Sequence, residues 1–227
     1  MIKLYNGDCL DIMRCVDFQM AIRGKTPIIV TDPPFNIGYH YNTYKDKMND
    51  EQYLEWLKEI IHDKAFVLIH YPEQLYKIFA FIGESPSRVV SWVYNSNTAR
   101  QHRDIAFGGG VRPNFNLVRQ PYKNPNDKRI KKRIAEGKTG SKLYDWWNVN
   151  QVKNVSKDKT KHPCQMPQEV MDNIIGILPD KDKIVVIDPF MGSGTTGLAC
   201  KRYNVDFVGI EIDPLYYNIA TERLVNN

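Results

Sequence analysis

A glycine-rich turn near the end of the sequence constrains the fold more than any other feature. The turn spans Asp188–Gly197 (DPFMGSGTTG) and follows an apolar run, Lys183–Ile187, that is typical of a strand buried on both faces. An expected helix, Thr195–Tyr203, comes next, and only one further strand (Asp206–Ile212) and one further helix (Pro214–Val225) remain. Because a sheet built around this turn needs more strands, the N-terminal half must supply them. The sheet is therefore predicted to be in permuted order.

The N-terminal half shows the same alternation of strands and helices. Short apolar runs predict strands at Ile2–Tyr5, Pro27–Thr31, Ala65–Ile69 and Val89–Tyr94. Helices are predicted at Cys9–Arg14, after a cap at Asn49 or Asp50, at Pro72–Ile82 and at Pro167–Leu178. This alternation is typical of an α/β fold with a doubly wound, mostly parallel, Rossmann-like sheet that helices cover on both faces.

A basic segment without clear periodicity separates the two halves. Residues 95–165 hold few apolar runs and many Gly, Pro, Asn and basic residues, so no regular structure is predicted there. Between Arg112 and Lys138 nine basic residues accompany two acidic ones, a local charge of +7; the whole chain carries +5, which leaves −2 elsewhere. This distribution indicates contact with a polyanion, although a solvated loop has the same composition. We predict one domain from residues 1–94 and 161–227 and an inserted region at 95–160.

The glycine-rich turn also indicates a cofactor. The spacing of Gly192, Gly194 and Gly197 between a strand and a helix permits a tight turn and lets a ligand approach the backbone. The next strand ends at Glu211, whose carboxylate can bind the two hydroxyls of a ribose. A cofactor that contains a nucleoside is expected. The pattern alone does not separate a nicotinamide dinucleotide from S-adenosylmethionine, but its late position in the chain argues against an ordinary dehydrogenase.

A second turn, Asp32-Pro33-Pro34-Phe35, follows the predicted strand Pro27–Thr31. The prolines stiffen it, so the Asp32 carboxylate and the Pro33 carbonyl become fixed acceptors beside the Phe35 ring. Two acceptors and a stacking ring suit an amino group on a flat heterocycle, because accepting both N–H bonds localises the nitrogen lone pair. In duplex DNA such an amine is reached only when the base is flipped out of the stack. A helix-capping Asp in a Pro-Pro loop is the structural alternative.

Taken together and in this order, the motifs resemble those of the β class of DNA amino-methyltransferases. The matching segments are DPPF at Asp32–Phe35, KHPCQMP at Lys161–Pro167 and DPFMGSGTTG at Asp188–Gly197. The resemblance implies methyl transfer from S-adenosylmethionine to the exocyclic amine of a flipped base, with residues 95–160 as the target-recognition region. An Asp rather than a Ser at position 32 favours adenine N6 as the target, and cytosine N4 is the alternative.

The resemblance also implies roles for individual residues. Asp32, Pro33, Pro34 and Phe35 would form the catalytic turn around the target base. The predicted cofactor site consists of Asp8, Cys9, Lys161, His162, Phe190, Gly192, Ser193, Gly194, Thr195, Thr196, Glu211 and Ile212. Within it, Glu211 would hold the ribose and Asp8 would contact the adenine of the cofactor. Phosphate contacts are predicted, from charge and location, at Arg112, Arg119, Lys123, Lys128, Arg129, Lys131, Lys132 and Arg133.

The sequence departs from the family pattern at two places. The aromatic residue of the catalytic turn is usually Tyr and is Phe35 here, so stacking is retained but a hydroxyl is lost. The K-H-P loop usually continues as T-Q-K-P, whereas this chain reads Cys164-Gln165-Met166-Pro167.

Other classes of protein explain fewer of these features. A nicotinamide-dependent oxidoreductase accounts for the glycine-rich turn and Glu211, but not for the DPPF turn or the basic segment. A cytosine-C5 methyltransferase would use the thiol of Cys164, which does not follow the strand that carries DPPF. An RNA or protein methyltransferase and a non-catalytic DNA-binding module are the remaining alternatives. No metal site is expected, because no cysteine pair has CxxC spacing and His162 has no partner at zinc-ligand spacing.

The sequence also limits location and partners. It contains no run of about 20 apolar residues and no signal peptide, so no membrane association is expected and a bacterial or phage-encoded protein of the cytoplasm is predicted. Duplex DNA is the expected partner. From the family resemblance, a homodimer and a cognate restriction endonuclease are further candidate partners.

Overall fold

The computed structural model describes residues 1–40, 43–153, 156 and 159–225. Four positions of the predicted target-recognition region (154, 155, 157 and 158) and the last two positions of the chain lie outside the described residues. Ten strands are present in the described part: β1 Ile2–Asn6, β2 Thr26–Thr31, β3 Ala65–His70, β4 Arg88–Val93, β5 His102–Gly108, β6 Arg119–Gln120, β7 Ser141–Lys142, β8 Trp146–Asn148, β9 Ile184–Asp188 and β10 Asp206–Glu211.

Eight helices accompany these strands in the described ranges: α1 Cys9–Arg14, α2 Val16–Ala21, α3 Asp50–Ile61, α4 Pro72–Ile82, α5 Lys128–Ala135, α6 Gln168–Ile177, α7 Thr195–Arg202 and α8 Pro214–Val225. The expected caps are present, since Asp8 accepts from the backbone N–H of Leu10, and Asn49 accepts from Gln52. The described helices contain none long and apolar enough to cross a membrane.

The sheet is in permuted order, as the sequence predicts. Eight strands are arranged as β1-β10-β9-β2-β3-β5-β4-β8, so the two C-terminal strands β9 and β10 lie between β1 and β2. All neighbouring pairs are parallel except those that β5 makes with β3 and β4, which are antiparallel. A mostly parallel, Rossmann-like sheet is therefore confirmed. The short strands β6 and β7 form a separate pair.

Successive residues of the central strands point to opposite faces of the sheet, and helices cover both faces. On β2, Ile28 and Val30 belong to the apolar cluster on one face, which α6, α7 and α8 cover. Ile29, between them, belongs to the cluster on the other face, under α1 to α4. This double covering explains why these strands read as unbroken apolar runs rather than as alternating patterns.

The expectation of no regular structure in residues 95–165 is wrong for β5, which lies inside the sheet between β3 and β4. Residues 104–108 of this strand are buried, but its apolar run is only Ile105–Phe107, between polar residues and a triple glycine. So short a run carries no clear strand signal in the sequence. β5 and β8 belong to the same sheet as the strands of 1–94. The part of the predicted target-recognition region that lies outside this eight-stranded sheet is therefore mainly 109–145.

Residues 109–145, which carry the predicted phosphate contacts and are called the basic segment from here on, leave the sheet at the edge where the parallel strands begin. β5 runs antiparallel to β3 and ends at Gly108, opposite Phe66 at the start of β3. The backbone N–H of Asn114 then donates to the carbonyl of Ile177, at the end of α6 that leads to the start of β9. β8 runs parallel to β4, so the chain returns from this same edge.

Candidate functional site

The two turns singled out in the sequence lie side by side at the opposite edge of the sheet. β2 and β9 are adjacent and parallel, so the turn after each strand leaves at the same carboxyl edge. Thr31, the last residue of β2, donates from Oγ1 to Oδ1 of Asp188 at the end of β9, over 2.7 Å. Both turns line one cavity of about 490 Å³, a volume typical of a site for a small ligand.

Most residues of the predicted site line this cavity. They are Asp8, Cys9, Asp32, Pro33, Pro34, Phe35, His162, Phe190, Gly192, Ser193, Thr195, Thr196, Glu211 and Ile212. Two predicted cofactor residues do not line it. Lys161 is exposed. Gly194 precedes α7 with a φ of 79°, and a side chain there would meet Leu224 and Ala220 of α8. Gly194 therefore serves the turn and the helix packing.

Glu211 connects the glycine-rich turn to β10. Its Oε2 accepts a hydrogen bond from the backbone N–H of Gly192, and its Oε1 accepts one from Asp213, both over 2.9 Å. Burial raises the pKa of Glu211 to about 7, although these two hydrogen bonds act in the other direction. Because a carboxylate has about four acceptor positions, two backbone bonds leave capacity for the hydroxyls of a ligand.

A buried carboxyl group, Asp188, holds the two turns together. In addition to Thr31, it accepts hydrogen bonds from Thr196 Oγ1 over 2.5 Å and from the backbone N–H of Phe190 over 3.1 Å. Burial raises the pKa of Asp188 to about 6, and the three hydrogen bonds oppose that rise. Asp188 thus connects the last residue of β2 to the glycine-rich turn.

The carboxylate of Asp32 lies next to Arg103, from the second position of β5. Oδ2 of Asp32 is 3.4 Å from Nη1 of Arg103, and both side chains are largely buried. Oδ1 of Asp32 is buried without a hydrogen-bond partner among the described residues. Burial raises the pKa of Asp32 to about 6; the charge of Arg103 lowers it and that of Asp188 adds to the rise. Asp32 is therefore a mostly ionised acceptor at neutral pH.

Phe35 is held from behind by a chain of buried polar groups. Its ring stacks on the imidazole of His70, with centroids 4.1 Å apart and an interplanar angle of 22°. Nδ1 of His70 accepts from the backbone N–H of Tyr71, and the Tyr53 hydroxyl lies 3.2 Å from Nε2 of His70. The same hydroxyl donates to the carbonyl of Pro34 over 2.7 Å. Burial lowers the pKa of His70 to about 3, so this support is uncharged.

Comparison with known proteins assigns the chain to a family. A profile of the DNA methylase family, which covers the N6 and N4 methyltransferases, matches residues 26–222. The chain belongs to the DNA methylase family. It is therefore a site-specific DNA methyltransferase that depends on S-adenosylmethionine, as the resemblance of the motifs predicts.

Curated relatives of this methyltransferase come from bacteria. Type II methyltransferase M.HpaI of Haemophilus parainfluenzae is 29% identical, over 87% of this chain and 67% of its own length. DNA adenine methyltransferase YhdJ of Escherichia coli K12 is 26% identical, over 97% of this chain and 82% of its own. The crystal structure of M1.HpyAVI with S-adenosylmethionine is 26% identical, with a TM-score of 0.61 over 99% of this chain and all of that one.

The cavity of the methyltransferase fits S-adenosylmethionine. Glu211 and Asp8 line it with acceptors for hydroxyl and amino groups. Trp56 of α3 lies against Phe190, with ring centroids 5.2 Å apart, so flat apolar surfaces suitable for a purine are present. Nδ1 of His162 is buried without a hydrogen-bond partner among the described residues, as expected of a donor or acceptor kept for a ligand.

Several residues of the site were missed in the sequence. Arg103 lies in the segment read as irregular, and His70 reads only as the end of an apolar strand. Tyr53 and Trp56 fit the apolar face of α3 and carry no sign of another role. Asp46 is buried and accepts hydrogen bonds from the backbone N–H groups of three residues that follow the DPPF turn (Asn36, Ile37 and Tyr39). Proximity in the fold, rather than any spacing, brings these groups together.

The basic residues predicted to contact DNA are remote from the cavity in topology. All eight are exposed, and the eight-residue helix α5, which carries five of them, has no buried residue. None of the eight lines the cavity. Their segment starts and ends at the opposite edge of the sheet, so their predicted role as phosphate contacts stays a prediction.

Proposed function

We propose that the methyltransferase modifies N6 of an adenine flipped out of duplex DNA into the cavity. Asp32 and the Pro33 carbonyl accept the two N–H bonds of the amine, Pro34 keeps the turn stiff, and Phe35 stacks on the base. The observation that carries this proposal is Oδ1 of Asp32, a buried acceptor that lacks a partner among the described residues and belongs to a residue that lines the same cavity as the glycine-rich turn.

The state of Asp32 selects an amino group. A buried acceptor left unpaired costs about 1–3 kcal/mol, and an N–H donor of the ligand removes that cost. With a pKa of about 6, Asp32 is mainly a carboxylate at pH 7, and a carboxylate accepts hydrogen bonds but cannot donate them. Adenine presents an exocyclic amine to this acceptor, whereas thymine presents a carbonyl. The Asp at position 32 and the similarity to a DNA adenine methyltransferase support adenine rather than cytosine as the target.

On the cofactor side, Glu211 binds the ribose hydroxyls, and Trp56 and Phe190 hold the adenine ring together with Asp8. Gly192 lets the ligand approach the backbone, and its N–H fixes the carboxylate of Glu211. S-adenosylmethionine, when bound, supplies an electrophilic methyl group on a sulfonium. Lys161 and Gly194 do not contact the cofactor. Lys161 acts through the loop that carries His162, and Gly194 acts through the start of α7.

The residues of the chain contribute positioning and charge rather than a covalent bond to the base. Asp32 and Pro33 orient the amine, and the rigid turn makes the orientation inexpensive in entropy. Methyl transfer would break the bond between the methyl carbon and the sulfonium sulfur and form the N–C bond. The sulfur would leave as a neutral thioether, and one excess proton would remain on the nitrogen. That proton passes to Asp32, and a carboxyl group with a pKa of about 6 then releases it to water at pH 7.

The proposal is tested by sequencing DNA from cells that express the protein, with separate detection of N6-methyladenine and N4-methylcytosine. We expect N6-methyladenine at one short site. Purified Asp32→Ala is expected to bind S-adenosylmethionine and to lose methyl transfer, whereas Asp17→Ala, which removes an exposed carboxylate outside the cavity, is expected to keep both. N4-methylcytosine as the product would overturn the adenine assignment, and normal transfer by Asp32→Ala would overturn the catalytic one.

We further propose that DNA is held mainly at the rim of the cavity. Three exposed lysines, here called the rim lysines, lie next to or in segments that line it: Lys45 and Lys47 flank Asp46, and Lys161 precedes His162. A flipped base must enter at this edge, so the phosphates next to it pass close to the rim. The basic helix α5, whose segment is anchored at the opposite edge, then contributes less.

Salt titration of binding distinguishes the two surfaces. Changing the rim lysines to Gln is expected to lower the slope of log Kd against log salt by up to about 2.7, since each phosphate contact contributes about 0.9. The same change at Lys131, Lys132 and Arg133 is expected to lower it by less. A larger effect of the α5 change would place that helix in the interface, as charge alone predicts.

The names of the relatives support a proposal on partners. Several, including M.HpaI, are Type II methyltransferases, so a restriction endonuclease of the same site specificity is the proposed partner in a bacterial or phage-infected cytoplasm. Homodimerisation stays a prediction from the family resemblance.

A further inference from the structure

Arg103 occupies the place that the target base needs. It is the second residue of β5, and because β5 runs antiparallel to β3, its first residues lie at the carboxyl edge of β2 and β3. There the side chain lines the cavity and is only 16% exposed. Its Nη1 lies 3.4 Å from Oδ2 of Asp32, the group proposed to accept the amine.

The guanidinium also covers the ring that is proposed to stack on the base. His70 stacks on one face of Phe35, with ring centroids 4.1 Å apart and an interplanar angle of 22°. Cζ of Arg103 lies over the same ring at 4.7 Å from its centroid. Since a stacked imidazole leaves no room on its own side, Arg103 lies on the other face. A base that stacks on Phe35 must therefore take the position of Arg103.

The contacts of Arg103 are incomplete. A charge-assisted hydrogen bond between a guanidinium and a carboxylate is normally about 2.7–2.9 Å long and often bidentate, whereas here one contact is made at 3.4 Å. Oδ1 of Asp32 and Nε of Arg103 are both buried without a hydrogen-bond partner among the described residues. A single long contact is easier to exchange than a bidentate pair.

We propose that Arg103 is a positioning residue of the base pocket: it holds the Asp32 carboxylate and covers Phe35 while no base is bound, and the target base displaces it from both. The inference rests on the proposed function of Asp32 and Phe35. In the bound state the amine replaces the guanidinium as hydrogen-bond donor to Asp32, and the base replaces it over the Phe35 ring. Without Arg103, the free enzyme would hold a buried carboxylate with no positive charge beside it.

The test compares binding of two duplexes that carry the methylation site identified by sequencing, one with the target adenine and one with an abasic position instead. Only the adenine has to displace Arg103. In Arg103→Ala, the affinity for the adenine duplex relative to the abasic duplex is expected to increase about tenfold, or about 1.4 kcal/mol. Arg202→Ala is the control, since Arg202 is exposed at the end of α7, pairs with Asp172 and does not line the cavity; its ratio is expected to stay at the wild-type value.

Arg103→Lys provides a second variant that keeps a charge beside Asp32 but loses the flat group over Phe35, and a smaller increase in the ratio is expected. An unchanged or lower ratio in both variants would overturn the proposal, because Arg103 would then support the bound base or play no part. Methyl transfer by Asp32→Ala separates the two claims. If that variant is inactive and the ratio is unchanged, only the role of Arg103 fails; if it is active, the proposed function fails.

Discussion

The ionisation of Asp32 leads to a prediction for the pH dependence of methyl transfer. Burial raises the pKa of Asp32 to about 6, so the group protonates as the pH falls through that value and loses the negative charge with which it accepts one N–H bond of the amine. The ionised fraction is about nine tenths at pH 7 and about one tenth at pH 5. The rate is therefore expected to fall about tenfold between these two pH values.

The assay uses initial rates of methyl transfer with DNA and S-adenosylmethionine both far below saturation, because such rates report the groups of the free enzyme. Arg103 and Asp188 face Asp32, and Arg103 holds its pKa down. Arg103→Met is therefore expected to move the acid limb to higher pH. The pKa values of Asp188 and Glu211 lie in the same pH region. The affinity for S-adenosylmethionine is therefore measured over the same pH range, and the rates are corrected for its change.

Asp32→Asn is the control, because an amide does not titrate and its residual rate should be flat once cofactor binding is corrected for. A wild-type rate that stays constant from pH 8 to pH 5, with circular dichroism showing an intact fold, would refute the reasoning. So would an acid limb that persists unchanged in Asp32→Asn. Either result would mean that the charge of Asp32 is not needed to hold the amine.

Two further predictions concern the support of the two turns. Gly192 has a φ of 51°, and an added Cβ would lie 2.9 Å from Nε2 of His162. Gly192→Ala is expected to lower the free energy of unfolding by about 1–2 kcal/mol because of the left-handed backbone, and also to weaken S-adenosylmethionine binding. Thermal unfolding with and without the cofactor measures both effects. Gly137→Ala, at a φ of 79° in open space, is the control and should show only the loss of stability. Tyr53→Phe removes the hydrogen bond to the Pro34 carbonyl, so kcat should fall with cofactor affinity unchanged and stability lowered by about 1 kcal/mol. Equal kcat in this variant would show that the carbonyl does not position the turn.

The sequence was informative where chemistry depends on adjacent residues. The strand and turn at Asp32–Phe35 and the strand, turn and helix at 184–202 are local patterns, and the structure contains both. Local rules also predicted the caps of α1 and α3. The strand β5 was missed because three apolar residues between polar neighbours and glycines do not distinguish a buried strand from a loop.

Chain position alone determined that the sheet had to be permuted, because too few strands follow the glycine-rich turn. The sequence also contains the family motifs, and these motifs determined the class of reaction. Only the tertiary structure brought Arg103 to Asp32, 71 positions away in the chain, and placed His70 and Tyr53 behind Phe35. It also showed that the basic segment departs from the edge opposite the cavity. The physical reason is that turns follow local backbone preferences, whereas contacts between distant residues depend on which strands pair, in which direction and in which register.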